Sequence, residues 1–514
     1  PRLDIPSKVD GTAQFGIDVD VEGMKIATIK AAPVFGAQVA TVDSSRAAEM
    51  PGVVQIVQLD DAVAVVADGY WQAKQALAEI TITWTETARD SANSELLFQQ
   101  FLEDMNTAKA SGDSKTDLKL GDVSQAFANA DRVVERSYRV PYLAHACMEP
   151  MNAVARVANG QCDIWTGTQN PLGFKHQVAA ALEMDAANVT VTNQFLGGGF
   201  GRRSQPDAAI QAAKISQQTG LPIKLIWSRE EDMQHDFYRP AVASNFTAAL
   251  DASGKPTAWE NQFVDKHEPT EAPHILYDIG NQDIHFADSP THIPFGAWRS
   301  VDHSQHGFFT ESFVDELAYE AKQDPYQFRR DLLSNKPRHL KVLDLAAEKS
   351  DWGKPLAAGQ GRGISLQDSF GSIVAEVVDV TVTAGKISVD KVTVVIDAGF
   401  AVAPDGLIAQ MESGVIYGLT AALYGEVSIE NGRVQQSNFD DYPMVRMSDA
   451  PAIETHIINS YESWGGAGEP GTPGTAPALT NAIFSATGIR IRDLPVSKYE
   501  FDLTADSNSN QLSS

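Results

Sequence analysis

One carboxylate lies where the surrounding residues indicate chemistry. Glu469 is part of the segment Trp464–Gly474 (WGGAGEPGTPG), which is rich in glycine and proline. Such a segment forms no regular element, but its backbone can adopt positive φ angles and approach a ligand closely. A single acid held on a loop of this kind suits a general base that acts on a substrate or cofactor. A surface turn with an incidental acid is the alternative interpretation.

The residues after this segment predict a helix. Residues 476–488 are mostly small or apolar, and the run ends at Gly488, a residue type that is common at helix C-termini. The helix would begin just after Glu469 and would turn its positive end toward the loop. We therefore expect Glu469 and an anion-binding helix terminus to share one pocket.

A second glycine segment connects a predicted strand to a predicted helix. Residues 189–196 predict the strand, 197–201 (GGGFG) the loop and 207–219 the helix. This order places backbone N–H groups around a phosphate or another anion. The segment matches neither GxGxxG nor GxxxxGK[ST], which argues against a nicotinamide-dependent dehydrogenase and against a P-loop enzyme. Arg202 and Arg203, which follow the loop, can either bind the anion or cover the surface.

Two further groups of side chains are candidates for a site. Arg299 lies between Trp298 and Ser300 just before a predicted helix, and it is either an inward-facing anchor or a packed surface residue. Four aromatic residues can line a substrate pocket or belong to the core. They are Phe195, Phe200, Trp298 and Trp464.

The overall charge and hydropathy exclude some classes of protein. The 514 residues include 40 basic and 67 acidic side chains, which gives a formal charge of −27. We therefore expect no nucleic-acid partner, because phosphate binding requires a basic surface. No apolar run reaches the roughly 18 residues of a transmembrane helix. The first residues of the chain show no signal-peptide pattern.

The metal-binding residue types are sparse. Cys147 and Cys162 are the only cysteines and form no CxxC, so the chain itself cannot hold a four-cysteine iron–sulfur cluster or a zinc knuckle. The two either form a disulfide or remain buried thiols. The eleven histidines include no HxH or HExxH pair, so we expect no metal ligand from the side chains.

Several of these stretches together resemble one protein family, the large subunits of xanthine oxidase-family molybdenum hydroxylases. The resemblance covers nearly the whole chain and follows the family's order. The stretches that carry it are Thr168–Asn170, Gly197–Gly201, Ala297–Arg299, Asp397–Gly399, Gln410 and Gly468–Pro470. The branch of the isoquinoline 1-oxidoreductase β-subunit and the bacterial membrane-associated aldehyde dehydrogenases is the most similar, on the stretches Asn438–Pro443, Gly471–Pro473 and Ala476–Ala482.

The resemblance implies an α+β fold. Residues 1–90 are similar to the family's N-terminal α/β hammerhead domain, and residues 91–125 would form a connector. Two mixed α+β molybdenum-cofactor-binding domains would follow at 126–350 and 351–504, the second with the catalytic loop. The polar residues 505–514 predict a disordered tail.

The cofactor implied by the resemblance is molybdopterin carrying molybdenum, in bacteria usually as the cytosine dinucleotide. In the family, the protein gives the molybdenum no side-chain ligand. Glu469 matches the catalytic base, which takes a proton as oxygen is transferred to an electron-poor carbon. The positions that match cofactor contacts are Gln169, Gly198, Gly199, Phe200, Gly201, Arg299, Gln410 and Gly468.

The same resemblance implies partners and a location. Electrons must leave through iron–sulfur clusters that this chain cannot hold, so we expect a small [2Fe-2S] subunit. The family's glycine- and glutamine-rich (EMGQG-type) pterin-binding segment is not found in this sequence. In this branch it lies ahead of the hammerhead domain, and another chain would supply it. Periplasmic placement is inferred from the branch, with the cytoplasm as the alternative.

The resemblance thus predicts the catalytic subunit of a molybdenum hydroxylase that oxidises aldehydes or N-heteroaromatic rings with water-derived oxygen. Ser204 stands where purine-oxidising members carry an acid, so purines are not expected substrates. The alternative, from a different class, is a non-catalytic, cofactor-free fragment or assembly partner that lacks its N-terminal pterin-binding segment.

Overall fold

The computed structural model describes residues 2–265 and 271–501. Within these residues the strands are β1 Lys25–Ala31, β2 Val39–Asp43, β3 Val53–Gln58, β4 Ala62–Ala67, β5 Thr81–Trp84, β6 Lys115–Leu120, β7 Arg132–Val140, β8 Asn152–Ala158, β9 Gln161–Thr166, β10 Val189–Asn193, β11 Ile223–Ile226, β12 Val242–Leu250, β13 Pro256–Asp265, β14 Asn281–Asp288, β15 Gln360–Ser369, β16 Ser372–Thr383, β17 Lys386–Asp397, β18 Ile429–Glu430, β19 Arg433–Val434 and β20 Ala452–Ile458. The α-helices are α1 Ile5–Val9, α2 Ser45–Ala48, α3 Tyr70–Ala78, α4 Ser94–Ser111, α5 Val123–Ala128, α6 Pro171–Ala181, α7 Asp207–Thr219, α8 Arg229–Gln234, α9 His303–Glu320, α10 Pro325–Asp331, α11 Pro337–Lys349, α12 Pro404–Leu423 and α13 Thr475–Thr487.

The largest sheet joins early and later parts of the chain. Its seven strands run in the order β10-β9-β8-β11-β1-β4-β3. Lys25 on β1 pairs in parallel with Ile223 on β11, so strands from residues 1–90 share a sheet with strands from the middle of the chain. Strand β4 is a continuous run of buried small and β-branched residues, as expected for a strand covered on both faces. The boundary predicted at residue 90 therefore separates strands that belong to one continuous sheet. The limits of the domains stay a prediction.

A five-stranded sheet packs against a long buried helix. The strands run in the order β6-β14-β13-β12-β7. Nearly every residue of α9 is buried, and its phenylalanines, among them Phe308 and Phe313, belong to the main hydrophobic core. Strand β6 pairs with β14 at the edge of this sheet. Residues 91–125, predicted as a connector, thus contribute a helix (α4) and an edge strand.

The third sheet has the strand order β15-β16-β17-β20. The Glu469 loop, residues 465–474, lies at one end of its strands. Strands β17 and β20 are parallel, with Asp397 opposite Ile458, so the chain leaves both strands at the same end of the sheet. The turn between β15 and β16 lies at that end too, because Ile373 pairs with Asp397. Helix α13 packs directly on β15, where a side chain at Gly363 would overlap the helix backbone.

The structure confirms the expected α+β class and several elements. Helix α7 occupies the predicted residues 207–219, and α13 ends at Gly488, which has a φ angle of 74°. Cys147 and Cys162 are both buried free thiols, so the disulfide alternative is wrong. The predicted disordered tail at 505–514 lies outside the described residues.

Candidate functional site

The glycine segment at residues 197–201, here called the 197–201 loop, lies beside Gln169. Strands β9 and β10 are parallel, so the residues that follow them meet at one sheet edge. The backbone N–H of Gly201 donates to Oε1 of Gln169 at 3.1 Å, and the N–H of Gln169 donates to the carbonyl oxygen of Arg203 at 2.9 Å. The sequence placed these residues 28 or more positions apart; the sheet brings them into contact.

The conformation of the loop requires glycine. Gly198 and Gly201 have φ angles of 102° and 110°, which side chains rarely tolerate. A Cβ on Gly201 would overlap the carbonyl oxygen of Ala297, and one on Gly199 would lie 2.7 Å from Oε1 of Gln169. The N–H groups of Gly198, Gly199 and Phe200 donate to no acceptor in the part of the chain that the structure describes. The loop therefore offers three free donors.

The two arginines after the loop do not cover the surface, so that alternative is wrong, and their guanidinium groups bond to partners inside the protein. Arg202 and Arg203 are 1% and 0% exposed. Arg202 forms a bidentate pair with Asp207 at 3.0 and 2.6 Å. Arg203 bonds to the carbonyl oxygen of Gly198 at 2.8 Å and to the carboxylate of Glu149 at 3.1 Å. These guanidinium groups fix the loop from beneath.

An aromatic stack supports the site from below. The Tyr417 ring on α12 lies between those of Phe200 and Trp298, with centroid distances of 4.6 Å on both sides and interplanar angles of 19° and 21°. Trp298 and Tyr417 are buried. Of the four aromatic residues that were candidates for a pocket wall, Phe200 and Trp298 belong to this stack. Phe195 packs on Phe15, whereas Trp464 is 71% exposed.

Arg299 is the inward-facing anchor of the two alternatives. Its side chain is 5% exposed. Its Nε and Nη2 donate to the carbonyl oxygen of Gly468 at 2.9 and 2.6 Å. Its Nη1 donates to the Ser413 hydroxyl on α12 at 2.8 Å, and Nη2 also donates to Oε1 of Gln410 at 3.1 Å. One guanidinium group thus ties the Glu469 loop to α12. Because a planar fork with five donors can hold several acceptors in fixed directions, arginine suits this position.

Glu469 is half-buried and its backbone is held by Ser300. The Ser300 hydroxyl donates to the carbonyl oxygen of Glu469 at 2.7 Å, and the Ser300 N–H lies 3.4 Å from Oε1 of its carboxylate. Ser300 has a φ angle of 76°, a strained conformation of the kind that collects at functional sites. Oε2 of Glu469 accepts no hydrogen bond from any described residue. One carboxylate oxygen is therefore free to act on a ligand.

Helix α13 does not share a pocket with Glu469, which corrects the prediction from sequence. The helix begins at Thr475, which is 0% exposed, and the Thr475 hydroxyl donates to the carboxyl group of Glu376 at 2.8 Å. Glu376 on β16 is itself fully buried, and burial raises its pKa to about 8. The chain's own acid occupies the helix terminus, so this end is not an anion site.

Three residues at this junction carry no signal in the sequence that could have identified them. Tyr417 lies within an apolar helix, Ser300 is one serine among many, and Glu376 lies inside a hydrophobic strand. By contrast, all positions predicted to contact the cofactor lie on segments that touch one another: the 197–201 loop contacts Gln169 and Ala297, and Arg299 contacts Gln410 and Gly468. Their functional roles stay predictions.

The exposed groups at this junction fit a cofactor rich in anionic oxygen atoms. Of the N–H groups in the 197–201 loop that have no acceptor among the described residues, those of Gly198 and Phe200 belong to partly exposed residues, and Gln169 and Gln410 are exposed. The N–H groups of Gly468 and Glu469 also lack acceptors among the described residues, and a Cβ on Gly468 would meet only open space. Such donors suit phosphate and pterin oxygens. In the described ranges no group of three His, Cys, Asp or Glu side chains is arranged to hold a metal ion, and no helix there is long and apolar enough to cross a membrane.

Comparisons with known proteins agree with this description. Sequence models of molybdopterin cofactor-binding domains match residues 106–333 and 330–451. The chain is 31% identical to the isoquinoline 1-oxidoreductase subunit beta of Brevundimonas diminuta over 96% of this chain and 67% of that protein. It is 32% identical to the membrane-bound aldehyde dehydrogenase [pyrroloquinoline-quinone] of Gluconacetobacter polyoxogenes over 96% of this chain and 70% of that protein.

Solved structures show the same fold at lower identity. Quinoline 2-oxidoreductase from Pseudomonas putida 86 superposes with a TM-score of 0.82 at 14% identity, over 96% of each chain. Aldehyde oxidoreductase from Desulfovibrio gigas superposes with a TM-score of 0.80 at 17% identity, over 96% of this chain and 79% of that one. The chain therefore belongs to the xanthine oxidase family of molybdenum hydroxylases and is a molybdopterin-binding subunit of an oxidoreductase.

Proposed function

We propose that this subunit oxidises an aldehyde or an N-heteroaromatic ring and that Glu469 is the general base of the reaction. The observation that carries the proposal is the state of the Glu469 carboxylate. Its backbone is held by Ser300, and the preceding residue is held by Arg299, yet one carboxylate oxygen has no hydrogen-bond partner among the described residues. A base that is fixed in place and free at one oxygen can take a proton from an attacking water-derived group.

The cofactor residues of the proposal are Gln169, Gly198 to Gly201, Arg299, Gln410 and Gly468. Molybdopterin, when bound, supplies the redox centre that accepts two electrons from the substrate. The N–H groups of the 197–201 loop that have no acceptor would bind its anionic atoms, and the Gln169 amide would lie beside them. Arg299 acts on the other side, where it fixes Gly468 and thereby the approach of Glu469. In this proposal the chain's residues bind and orient the cofactor, and Glu469 removes one proton.

We further propose the cytosine dinucleotide form of molybdopterin, a small [2Fe-2S] partner subunit and a periplasmic location. These rest on the branch that the sequence resembles. A [2Fe-2S] cluster takes four cysteine ligands, whereas the chain has two cysteines, both buried free thiols. Electrons need an acceptor outside the chain.

Aromatic substrates are favoured by the surface beside the Glu469 loop. Phe400 and Tyr461 stack at 5.3 Å, and Trp464 stands next to them, against Gly399. The three side chains are 38%, 75% and 71% exposed. They occupy the loops that leave β17 and β20 at the end of the sheet where the Glu469 loop lies. We name Phe400, Tyr461 and Trp464 the aromatic rim, and we propose that it contacts flat rings on their way to the site.

The cofactor-free fragment is not favoured. The two matched domains are molybdopterin cofactor-binding domains, and the predicted contact positions lie on segments that touch one another. A fragment without cofactor would give no reason for a glycine loop with three free N–H groups or for strain at Ser300.

The deciding experiment measures molybdenum and turnover in the same preparation. The chain is purified with its co-purifying partners, molybdenum per chain is determined by elemental analysis, and isoquinoline, benzaldehyde and butanal are assayed with an artificial electron acceptor. Molybdenum near one per chain with turnover of at least one compound supports the proposal. If the chain contains no molybdenum, either alone or with its partners, the proposal is overturned and the cofactor-free fragment becomes the favoured interpretation.

A further inference from the structure

A buried histidine lies beneath the contact between two segments of the cofactor site. His145 is 1% exposed. Its Nδ1 lies 2.9 Å from the carboxylate of Asp236, and its Nε2 lies 3.3 Å from the carbonyl oxygen of Ala297. That carbonyl is the group that excludes a side chain at Gly201, and the excluded Cβ would also be 3.2 Å from Nε2 of His145. The ring therefore supports both sides of the contact.

The backbone of His145 makes two further connections. Its N–H donates to Asp236 at 2.6 Å, and its carbonyl oxygen accepts from the hydroxyl group of Tyr417 at 3.0 Å. Tyr417 is the middle ring of the stack between Phe200 and Trp298. One residue thus contacts the 297–299 segment and α12.

Asp236 orients the imidazole ring and continues the network. It is 2% exposed and forms an ion pair with Arg202, at 3.0 Å, directly after the 197–201 loop. Burial alone would raise the pKa of Asp236, but His145 and Arg202 outweigh it and hold the pKa below its ordinary value. An ionised carboxylate beside Nδ1 holds the ring in one orientation with its other nitrogen toward Ala297, as an acid that orients a histidine does in other enzymes.

We infer that His145, oriented by Asp236, is a positioning residue that sets the separation between the 197–201 loop and the 297–299 segment, and thereby the placement of the cofactor relative to Glu469. The route to Glu469 is short. Arg299 and Ser300 follow Ala297 by two and three residues and bond to Gly468 and Glu469. The inference rests on the proposed function, because it takes these segments as the ones that hold the cofactor.

The test compares three variants. His145→Gln and Asp236→Asn each break the link between ring and carboxylate. Glu316→Gln is the matched control, because Glu316 is likewise a buried acid (3% exposed) bonded to an arginine, Arg492, and to an aromatic side chain, Tyr138, on the five-stranded sheet. Each holoenzyme is measured for molybdenum per chain, kcat per bound molybdenum, KM, the Mo(V) electron paramagnetic resonance spectrum and the midpoint of thermal unfolding.

We expect His145→Gln and Asp236→Asn to lower kcat per molybdenum by tenfold to about a hundredfold, since a displacement of about 1 Å has effects of this size. The Mo(V) spectrum should change with it. The Glu316→Gln control should lose thermal stability with kcat per molybdenum and spectrum as in the unaltered protein. The inference would be overturned if kcat per molybdenum and the Mo(V) spectrum are unchanged in both His145→Gln and Asp236→Asn.

Two measurements keep the test decisive. If His145→Gln does not fold, Tyr417→Phe removes only the hydroxyl bond to His145 and keeps the ring stack; kcat per molybdenum should fall about threefold, and no change overturns the inference. If the unaltered protein binds no molybdenum, the proposed function fails, and amide hydrogen exchange still decides the positioning role. Peptides that cover 197–201 and 296–300 should exchange faster in His145→Gln than in Glu316→Gln. Equal exchange overturns it.

Discussion

The two glycine loops of the site have similar composition but are held by different forces. The 197–201 loop is fixed by buried charges: Glu149 accepts the N–H of Gly197 at 2.6 Å and pairs with Arg203, which also holds Gly198. The 465–474 loop, which contains Glu469, is held through its own neutral backbone carbonyl oxygens. Its carbonyl oxygens at Gly466, Gly468 and Glu469 accept from Ser372, Arg299 and Ser300.

This difference follows from what each loop has to present. The first loop presents only backbone N–H groups, so a buried ion network beneath it stabilises one conformation without competing with the ligand. The second loop presents the Glu469 carboxylate, which in the proposed reaction has to stay free to take a proton. An ion pair to Glu469 would occupy that carboxylate, whereas bonds to the backbone carbonyls fix its position and leave Oε2 unpartnered among the described residues.

The largest expected effect is at the free carboxylate of the second loop. Glu469→Gln keeps the shape and removes the base, so kcat should fall at least 10²- to 10⁴-fold while molybdenum per chain stays unchanged. Glu462→Gln, an exposed acid just before the same loop, is the control and should retain full turnover. Steady-state kinetics and elemental analysis check both. Loss of molybdenum together with activity in Glu469→Gln would make the residue structural.

The second prediction compares the anchors of the two loops. Arg203→Met leaves Glu149 buried without its cation and should cost about 3–5 kcal/mol of unfolding free energy. Arg299→Met leaves only neutral acceptors unsatisfied, at a cost of about 1–3 kcal/mol, but it should lower kcat strongly because Gly468 and Glu469 lose their fixed position. Denaturant unfolding and kinetics measure the two. Equal destabilisation by both substitutions would contradict the distinction between charged and neutral anchoring.

Local sequence patterns predicted the elements around the 197–201 loop and the end of α13. The strand, glycine loop and helix around residues 189–219 follow from hydrophobic periodicity and glycine placement, and α7 has the predicted bounds. The C-terminus of α13 follows from Gly488. These features depend on residues close in sequence. The seven-stranded sheet does not, because the pairing of β1 with β11 joins residues nearly 200 positions apart.

The anchors of the site were not predictable for the same reason. The partner of Arg203 is Glu149, 54 residues earlier, and Arg299 bonds to residues more than 100 positions later. Nothing local distinguishes such a buried arginine from one on the surface. The terminus of α13 is another case. Its acid partner, Glu376, reaches it only through the register of β15 and β16, in which Ser365 pairs with Glu376.

The third prediction concerns this buried acid behind the second loop. Burial raises the pKa of Glu376 to about 8, above the ordinary value of 4.5 for a glutamate. The stability linked to its proton is therefore complete below pH 4.5 and is lost as the pH rises through about 8. Glu376→Gln has no such proton to lose. The unfolding free energy of this variant, relative to that of the unaltered protein, should therefore rise by on the order of 2 kcal/mol between pH 6 and pH 9.

Thermal unfolding between pH 6 and pH 9 measures this effect. Glu316→Gln is the control with the opposite sign: its arginine and tyrosine partners outweigh burial and hold the pKa of Glu316 below the ordinary value. That carboxylate stabilises the fold above its unfolded-state pKa, so its removal should destabilise the protein at both pH values. If Glu376→Gln follows the same pH dependence as the unaltered protein, Glu376 is not the titrating group.

The smallest expected effect lies at the outer part of the second loop, in the aromatic rim. Trp464→Ala should raise KM for benzaldehyde or isoquinoline about three- to tenfold, which corresponds to the loss of one aromatic contact, and leave kcat unchanged. KM for butanal should not change, because an aliphatic chain gains little from ring stacking. Trp71→Ala, at a tryptophan that is 64% exposed on α3, is the matched control. Variants of the 197–201 loop should instead affect all substrates alike, since that loop is proposed to bind the cofactor and not the substrate. An equal rise in KM for benzaldehyde and butanal in Trp464→Ala would mean that the rim shapes the loop and does not select the substrate.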